Sequence, residues 1–290
     1  MVKTFNKICI YGVGLMGGSL ALACKKSNPN VEIVAVGRNE AHLKQAQAIG
    51  VIDSFSIDLA TALDGVDLVV FAMPVGAMQA AFEQVQPFLN DTIVLTDLGS
   101  TKGNVVALAN NVFKQFAKNF VPGHPIAGTE KSGVAAAFAE LFQQRRVILT
   151  PTEITDVKAT ERVAALWQSC GAEVIEMPVA HHDEVLAATS HLPHMLAFSL
   201  VDTLSKMNDK QEIFKYAAGG FRDFTRIASS SPEMWQDICI ANADSLVDVI
   251  EKFQTDLSAL TKAIQSGDKE TISKIFARAK KARDQFSNEL

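Results

Sequence analysis

The stretch Lys7-Ile8-Cys9-Ile10-Tyr11-Gly12-Val13-Gly14-Leu15-Met16-Gly17 decides the fold of this 290-residue chain. Residues 7–11 have the length and apolar character of a buried strand, and glycines follow it in the spacing GxGxxG. The first glycine of this motif makes a tight turn, the second lets the backbone approach a pyrophosphate, and the third lets the next helix lie close to the strand. A helix that begins here would bind an anion through its free N–H groups and its dipole. The stretch therefore predicts a dinucleotide site at these residues: Gly12, Gly14, Leu15, Met16 and Gly17.

A second predicted strand, residues 31–36, bears on which dinucleotide would bind. In NAD sites this strand usually ends near an acidic residue that hydrogen-bonds the ribose 2′-hydroxyl. Here Gly37, Arg38 and Asn39 follow it, and none of them is acidic. A guanidinium can pair with a 2′-phosphate or stack on adenine, so Arg38 favours NADP and leaves NAD possible. The alternative is that Arg38 is an ordinary solvated side chain.

Strand-like and helix-like segments alternate through residue 177. Further strands are predicted at 66–73, 92–97, 147–150 and 172–177, with helices at 77–86, 102–118 and 158–170. This alternation is typical of an α/β fold of the Rossmann type, a doubly wound parallel sheet with right-handed crossovers and helices on both faces. Ligands of such sheets bind beyond the carboxyl ends of the strands, where Pro74, Ser100 and His124 fall. We expect Pro74 and Ser100 to contact the cofactor.

After Pro178 the pattern is helical only, which predicts an all-α domain over 178–290 behind a first domain over 1–177. Ser231-Pro232-Glu233 has the features of a helix start. Apolar residues then recur every three or four positions, like a coiled-coil seam: Leu246, Ile250, Phe253, Leu257, Leu260 and Ile264. A helix of about thirty residues spans about 45 Å, which is too long for a small domain to cover, so we expect a homodimer built on the helical half. The alternative is packing of the seam against a final helix at 268–286.

Composition excludes several classes of partner. The net charge is −5, and no cluster of basic and aromatic residues points to nucleic acid. No uninterrupted apolar run reaches about 18 residues, so we expect no membrane span. The four cysteines lack zinc-ligand spacing, which favours reduced thiols in a cytoplasmic protein. Because the first predicted strand begins soon after Met1, we expect no signal peptide.

Five motifs, in order along the chain, carry a family resemblance. They are Gly12–Gly18, Asp97-Leu98-Gly99-Ser100-Thr101-Lys102, Gly123-His124-Pro125-Ile126-Ala127-Gly128, Ser190-His191-Leu192-Pro193-His194 and Gly219–Ala228. Together they resemble the prephenate and arogenate dehydrogenase family of tyrosine biosynthesis. The resemblance implies an NAD(P)-dependent oxidoreductase that converts prephenate to 4-hydroxyphenylpyruvate, or arogenate to tyrosine, with loss of carbon dioxide. The motifs fit both substrates.

The implied chemistry explains the first pair of site residues. Hydride leaves the ring carbon that carries a hydroxyl, so positive charge builds up there unless the hydroxyl proton is drawn away. A neutral imidazole does this well near pH 7, and His124 matches the family's catalytic histidine. Ser100 matches a serine that hydrogen-bonds the same hydroxyl or orients the histidine. Release of carbon dioxide restores aromaticity, so no metal is required.

The resemblance also implies a set of substrate-binding residues. Arg226 matches an arginine that can hold a substrate carboxylate through paired hydrogen bonds. His191 and His194 are three apart and are expected on one helix face, with Gly220 permitting close backbone approach and Trp235 closing the site. The paired histidines also suggest a metal site, but no third ligand stands at a suitable interval. His181 and His182 precede the predicted helix and are expected to face solvent.

Three alternatives stay open at this point. A β-hydroxyacid dehydrogenase would need a catalytic lysine in the helical half, where Lys206, Lys210 and Lys215 occur without the expected surrounding motif. A regulatory protein that binds NADP(H) without turnover would share the glycine motif. A structural protein built on the long seam is the third, and the ordered histidine, serine and arginine residues argue against it.

Overall fold

The computed structural model describes residues 5–129, 131–207 and 210–288. The chain divides into two compact units, Met1–Ala243 and Asp244–Leu290. The first contains all the strands of the described residues, and the second contains the two helices at the end of the chain. The division between a first domain over 1–177 and a second over 178–290 stays a prediction.

A six-stranded parallel sheet is the framework of the first unit. Its strands are β1 (Lys7–Tyr11), β2 (Glu32–Val36), β3 (Ser54–Phe55), β4 (Leu68–Phe71), β5 (Val94–Asp97) and β6 (Phe120–Val121). Their order is β3-β2-β1-β4-β5-β6, and every neighbouring pair is parallel. The order reverses at β1, which makes a crevice for a ligand beside the carboxyl end of that strand. The predicted doubly wound, Rossmann-type fold is confirmed.

Helices cover both faces of this sheet because both sets of alternating side chains are apolar. In β1, Ile8 and Ile10 belong to one buried cluster, and Cys9 and Tyr11 belong to the other. The first face packs on α1 (Leu15–Ser27), α2 (Glu40–Ala48) and α6 (Val157–Ser169). The second face packs on α3 (Leu59–Leu63), α4 (Met78–Val85) and α5 (Gly103–Phe113).

A second, three-stranded sheet corrects one part of the prediction. It consists of β7 (Gly123–Pro125), β8 (Arg146–Leu149) and β9 (Glu173–Glu176). Strands β7 and β8 are antiparallel, whereas β8 and β9 are parallel. The predicted strands at 147–150 and 172–177 therefore exist but do not extend the main sheet. The two- and three-residue strands β3, β6 and β7 were not predicted, because so few residues show no periodicity.

The chain is helical after β9, as predicted. The helices are α7 (Val179–Leu186), α8 (Leu192–Ser205), α9 (Lys210–Lys215), α10 (Gly219–Thr225) and α11 (Pro232–Ala241). One turn of π-helix, Ala187–His191, joins α7 to α8. The predicted start of α11 is confirmed, because the Ser231 hydroxyl accepts a hydrogen bond from the Met234 backbone N–H at 3.3 Å.

The long helix predicted beyond Ser231 is interrupted. Asn242 leaves the helical region of the backbone, with φ −117° and ψ 37°, and separates α11 from α12 (Ala243–Ser266). Its side-chain amide donates instead to the backbone oxygen of Asp183 at 2.8 Å. The helix is thus interrupted at a residue whose buried side chain forms a hydrogen bond with a distant segment. As a result, α12 has 24 residues rather than about thirty.

The second unit contains most of α12 together with α13 (Lys269–Asn288). Gly267, with φ +66°, ends α12, because this left-handed backbone conformation suits glycine. Asp268 then begins α13 by accepting a hydrogen bond from the Thr271 backbone N–H at 3.0 Å. Within the described ranges, no helix is long and apolar enough to cross a bilayer.

Candidate active site

The glycine turn after β1 excludes side chains at two of its three glycines. Gly12 has φ +99°, and a Cβ there would lie 2.8 Å from the Ala72 carbonyl oxygen. A Cβ on Gly17 would lie 2.3 Å from the Gly12 carbonyl oxygen. The turn and the first turn of α1 therefore pack against β4 and its following residues at distances that only glycine permits.

The second glycine of the motif, Gly14, borders open space of the kind a dinucleotide would fill. Gly14 is the N-cap residue of α1, and a Cβ on it would meet nothing within 4 Å. Leu15 and Met16 open the helix, where backbone N–H groups have no intrahelical acceptor. Pro74 is exposed just beyond β4, the strand beside β1. These features fit a bound pyrophosphate at the helix N-terminus.

Arg38 lies two residues beyond the end of β2 and is exposed. Burial raises the pKa of Tyr11 in β1, and the nearby Arg38 charge opposes that rise, which places the guanidinium on the β1 side of its turn. Asn39 begins α2 by accepting a hydrogen bond from the His42 backbone N–H at 3.2 Å. Arg38 is thus near the end of the switch-point crevice, with its side chain in solvent.

His124 is buried in β7, opposite Ile148 of β8. Its Nδ1 atom lies 2.8 Å from Nε2 of His182, and Nδ1 of His182 lies 2.8 Å from Oδ1 of Asp183. A chain of three side chains therefore runs from the predicted catalytic histidine into α7.

The structure corrects the expectation for His182. The sequence predicted that His181 and His182 would both face solvent, but only His181 is exposed and His182 is completely buried. Both belong to α7, so the two consecutive side chains point about 100° apart. The signal that could have identified His182 is the carboxylate next to it in sequence, Asp183.

Asp183 fixes α7 to the start of α5. Its Oδ1 accepts a hydrogen bond from the Lys102 backbone N–H at 2.9 Å, and its Oδ2 accepts one from the Gly103 backbone N–H at 2.7 Å. Burial raises the pKa of this carboxyl, but hydrogen bonds from His182 and the two amides outweigh burial and hold the pKa below its ordinary value. A Cβ on Gly103 would lie 2.9 Å from Oδ2, so the absence of a side chain at this position leaves room for the Asp183 carboxylate.

Ser100 lies half-buried between β5 and α5, in a turn held by a buried ion pair. The ammonium of Lys102 bonds the Asp97 carboxylate and donates to the Gly123 carbonyl oxygen at 2.7 Å. Asp97 also accepts hydrogen bonds from the backbone N–H of Gly99 at 2.7 Å and of Gly123 at 3.1 Å. The same ion pair thus holds the segments that carry Ser100 and His124.

His191 and His194 both contact the ring of Trp235. The His194 ring stacks on Trp235 with 3.7 Å between ring centroids, and the His191 ring approaches it edge-on at 6.1 Å. The π-helical turn before α8 ends at His191, and such turns are frequent at functional sites. The Trp235 indole N–H donates to the Ser230 hydroxyl at 2.8 Å, which fixes the ring.

Arg226 and Gly220 lie on the exposed side of the same region. Arg226 begins a short 3-10 turn after α10, and its charge is close enough to lower the pKa of His194. Gly220 belongs to α10, and a Cβ there would meet nothing within 4 Å. Gly220 therefore lies in a helix with open space beside it, and the predicted close approach of substrate to its backbone stays a prediction.

Burial dominates the electrostatics of the three histidines predicted for the site. It lowers the pKa of His124 well below the ordinary value, and His182, Lys102 and His191 lower it further. Burial lowers the pKa of His191 to about 4 although Asp183 opposes the shift. Burial also lowers the pKa of His194, and its hydrogen bond to the Ser190 carbonyl opposes this. All three imidazoles are neutral near pH 7.

Other chemistries have less support from the described residues. In residues 5–129, 131–207 and 210–288, no three histidine, cysteine or acidic side chains converge as metal ligands would. Lys206 pairs with Asp202 on an exposed face of α8, and Lys215 lies over the Tyr216 ring at 5.7 Å. The side chain of Lys210, the remaining lysine of the β-hydroxyacid alternative, lies outside the described residues.

Two family sequence models match the chain in succession. The one described as prephenate dehydrogenase, nucleotide-binding domain, matches residues 20–176. The one described as prephenate dehydrogenase, dimerization domain, matches residues 178–278. Together they cover α1 from residue 20 onward, the His124 strand and the segments that carry His191, Arg226 and Trp235.

Individual relatives agree with both matches. Cyclohexadienyl dehydrogenase of Zymomonas mobilis is 39% identical over 97% of this chain and 96% of its own length. Prephenate dehydrogenase of Bacillus subtilis is 37% identical over 96% of this chain and 76% of its own length. The structure of A. aeolicus prephenate dehydrogenase, solved with hydroxyphenyl propionate and NAD+, is 36% identical, covers 99% of this chain and 100% of that one, and superimposes with a TM-score of 0.92. The chain therefore belongs to the prephenate dehydrogenase family.

Proposed function

We propose that this protein oxidatively decarboxylates prephenate or arogenate in tyrosine biosynthesis, with NAD or NADP as oxidant. The products would be 4-hydroxyphenylpyruvate or tyrosine, carbon dioxide and a reduced nicotinamide. One observation carries the proposal: His124 is a buried imidazole with a lowered pKa, hydrogen-bonded at one ring nitrogen to His182. An imidazole that is neutral near pH 7 with its other nitrogen free is suited to accept a proton from a substrate hydroxyl.

His124 and Ser100 would handle the substrate hydroxyl. A bound nicotinamide would supply the hydride acceptor for the ring carbon that carries this hydroxyl. His124 would take the hydroxyl proton at Nε2, which prevents positive charge from building up on the ring carbon. Ser100 would hydrogen-bond the same oxygen and orient it. Loss of the ring carboxylate as carbon dioxide restores aromaticity, which supplies most of the driving force.

The cluster around Trp235 would bind the rest of the substrate. Arg226 is the cation we assign to a substrate carboxylate, because a guanidinium can form paired hydrogen bonds with one. The stacked rings of His194 and Trp235 offer a flat wall for the substrate ring. Gly220, with open space beside it in α10, leaves room for the substrate side chain.

His191 would donate a hydrogen bond to the substrate. The Asn242 amide lies 3.2 Å from Nδ1 of His191 and can only donate to it, so the ring proton is on Nε2. This Nε2 is buried and has no hydrogen-bond partner among the described residues. A buried donor without a partner costs about 1–3 kcal/mol, and a substrate oxygen would remove that cost.

NADP is the cofactor we favour. The support is Arg38, exposed beyond β2 where an NAD site usually has an acidic residue, although the A. aeolicus relative was solved with NAD+. We expect kcat/KM to be higher with NADP than with NAD, and Arg38→Gln to reduce the NADP value about tenfold while changing the NAD value little. An equal effect on both cofactors would show that Arg38 does not contact a 2′-phosphate.

We also propose a homodimer built on α12, in a cytoplasmic protein whose second domain begins at residue 178. The match to the family's dimerization domain supports it. So do Leu257 and Ile264 of the predicted seam, which are 49% and 60% exposed. Apolar side chains that recur at this spacing on a long helix favour a partner helix. The match of separate family models on either side of residue 177 supports the domain division.

Initial-rate assays test the reaction class. Purified protein is offered prephenate or arogenate, each with NAD and with NADP, and nicotinamide reduction is followed by absorbance. Turnover in at least one of the four combinations is expected. If cofactor binds but no combination turns over, the protein is instead a binding protein without this activity.

A further inference from the structure

We propose that His182 is a positioning residue that fixes the ring proton of His124 on Nδ1, and that Asp183 fixes His182 in turn. The inference deepens the proposed function, since it takes His124 as the base. It assigns a role to a residue that the sequence motifs did not include. The argument starts at Asp183, where the donor and acceptor roles are unambiguous.

Asp183 can only accept hydrogen bonds in its observed environment. Two backbone N–H groups, of Lys102 and Gly103, donate to its two oxygens, and its pKa is lowered. The carboxyl group is therefore an anion near neutral pH, buried at the N-terminus of α5, where negative charge is favourable. The third neighbour, Nδ1 of His182 at 2.8 Å, must then be a donor.

The position of the first proton determines the second. When His182 carries a single ring proton, on Nδ1, its Nε2 has a lone pair. This Nε2 lies 2.8 Å from Nδ1 of His124, so Nδ1 of His124 must carry the proton and donate it. Nε2 of His124 then has the lone pair, on the side of the ring away from His182. His124 thus has its accepting nitrogen free for the substrate hydroxyl.

Without His182, either nitrogen of His124 could carry the proton. The tautomer with the proton on Nε2 has no lone pair on the free side and could not accept the hydroxyl proton. A wrong tautomer of a catalytic histidine costs about 10⁴-fold in kcat in the serine protease triad. The same hydrogen bond also orients the His124 ring, so loss of His182 should affect kcat more than substrate or cofactor binding.

Nitrogen NMR tests the tautomers without substrate or cofactor. The chain has six histidines, so the full-length protein with ¹⁵N-labelled imidazole rings gives a small set of signals, assigned with His124→Asn and His182→Gln. At pH 8, His124 and His182 should both be protonated on Nδ1 and unprotonated on Nε2. A proton on Nε2 of His124, or on both nitrogens of His182, overturns the proposal.

Rate measurements test the consequence. His182→Leu removes both hydrogen bonds and should lower kcat by about 10²-fold or more with unchanged affinity for the cofactor. His182→Gln can still donate to Asp183 and accept from His124, and should recover at least about tenfold of that loss. His181→Leu, at the exposed neighbouring position of α7, is the control and should keep the wild-type rate.

The outcomes separate the two proposals. If His182→Leu does not fold, His182→Gln and the spectra of the wild-type protein still decide the matter. Equal loss in the Gln and Leu variants, or an effect confined to KM, would overturn the positioning role. If the wild-type protein turns over neither substrate, the proposed function fails while the spectra still report whether the proton positions are as inferred.

Discussion

At the scale of single residues, the lowered pKa of His124 is the property that the proposed chemistry depends on. Burial lowers this pKa well below 6.5, with contributions from His182, Lys102 and His191. The neutral form, which accepts a proton, is the form present above the pKa. His124 is therefore in its active form at any pH from the ordinary histidine value upward.

This electrostatic state predicts the pH dependence of the reaction. Going down in pH, kcat/KM should stay level through pH 6.5 and fall only at lower pH, where His124 becomes protonated. Initial rates between pH 5 and 9, in buffers of constant ionic strength, measure the profile. An acid limb centred at or above pH 6.5 would mean that the base is an ordinary solvated histidine or a different group.

The candidate site residues that the sequence analysis proposed are those that belong to local sequence motifs. Gly12, Gly14 and Gly17 could be predicted because their spacing forms a local motif. Gly12 and Gly17 have no room for a side chain, and Gly14 borders open space. His182 was missed, because its contact with His124 of β7 joins residues 58 positions apart along the chain and only the neighbouring Asp183 gave a local signal. Gly220 lies in α10 with open space beside it, so a close approach of substrate to its backbone stays a prediction.

At the scale of elements, two glycines at the start of α1 have different roles: Gly17 serves packing, and Gly14 serves cofactor binding in our proposal. Gly17 touches the turn beneath it, whereas Gly14 borders open space. An added methyl group should therefore have different effects at the two positions, although both lie in one motif.

Alanine substitutions test this difference. Gly17→Ala should lower the free energy of unfolding by about 1–3 kcal/mol, because the added Cβ has no room, and should also weaken cofactor binding. Gly14→Ala should leave the free energy of unfolding within about 0.5 kcal/mol of wild type and weaken cofactor binding about tenfold or more. Urea unfolding and a cofactor titration are the measurements. Equal destabilisation by both substitutions would contradict this assignment of the glycines.

The helix boundaries show where sequence periodicity stops being informative. Ser231 was identified correctly as a helix start because its cap is a local hydrogen bond. The break at Asn242 was missed, because the amide leaves the helix to bond Asp183 and His191, which are distant in sequence. The small second sheet was missed for a similar reason, since its partners meet only after folding.

At the scale of the whole molecule, the exposed apolar side chains of α12 favour the proposed partner helix. Leu257 and Ile264 belong to the seam that the sequence predicted, and both are exposed within the chain. A homodimer would remove them from water. The alternating strands and helices predicted the Rossmann-type part of the chain well, because most of its segments are long enough to show their period, although the two-residue strands β3 and β6 are not.

A charge on this face should weaken the dimer. Leu257→Glu is expected to raise the dimer dissociation constant at least about tenfold, because it would bury a carboxylate without a partner. Thr255→Glu, about 200° away around α12, is the matched control and should leave the dimer intact. Analytical ultracentrifugation over a range of concentrations measures both. Dissociation by the control alone would place the interface on the other face.

The proposal that His124 is the base of an oxidative decarboxylation is tested by product stoichiometry. Wild-type protein and His124→Asn are supplied with the preferred cofactor and with whichever of prephenate and arogenate the wild type turns over, and carbon dioxide, reduced nicotinamide and the aromatic product are quantified together. We predict equal amounts of the three products from the wild type, and a rate at least about 10²-fold lower for His124→Asn with unchanged cofactor affinity. Reduced nicotinamide without carbon dioxide, or an undiminished rate in the variant, would contradict the proposed reaction.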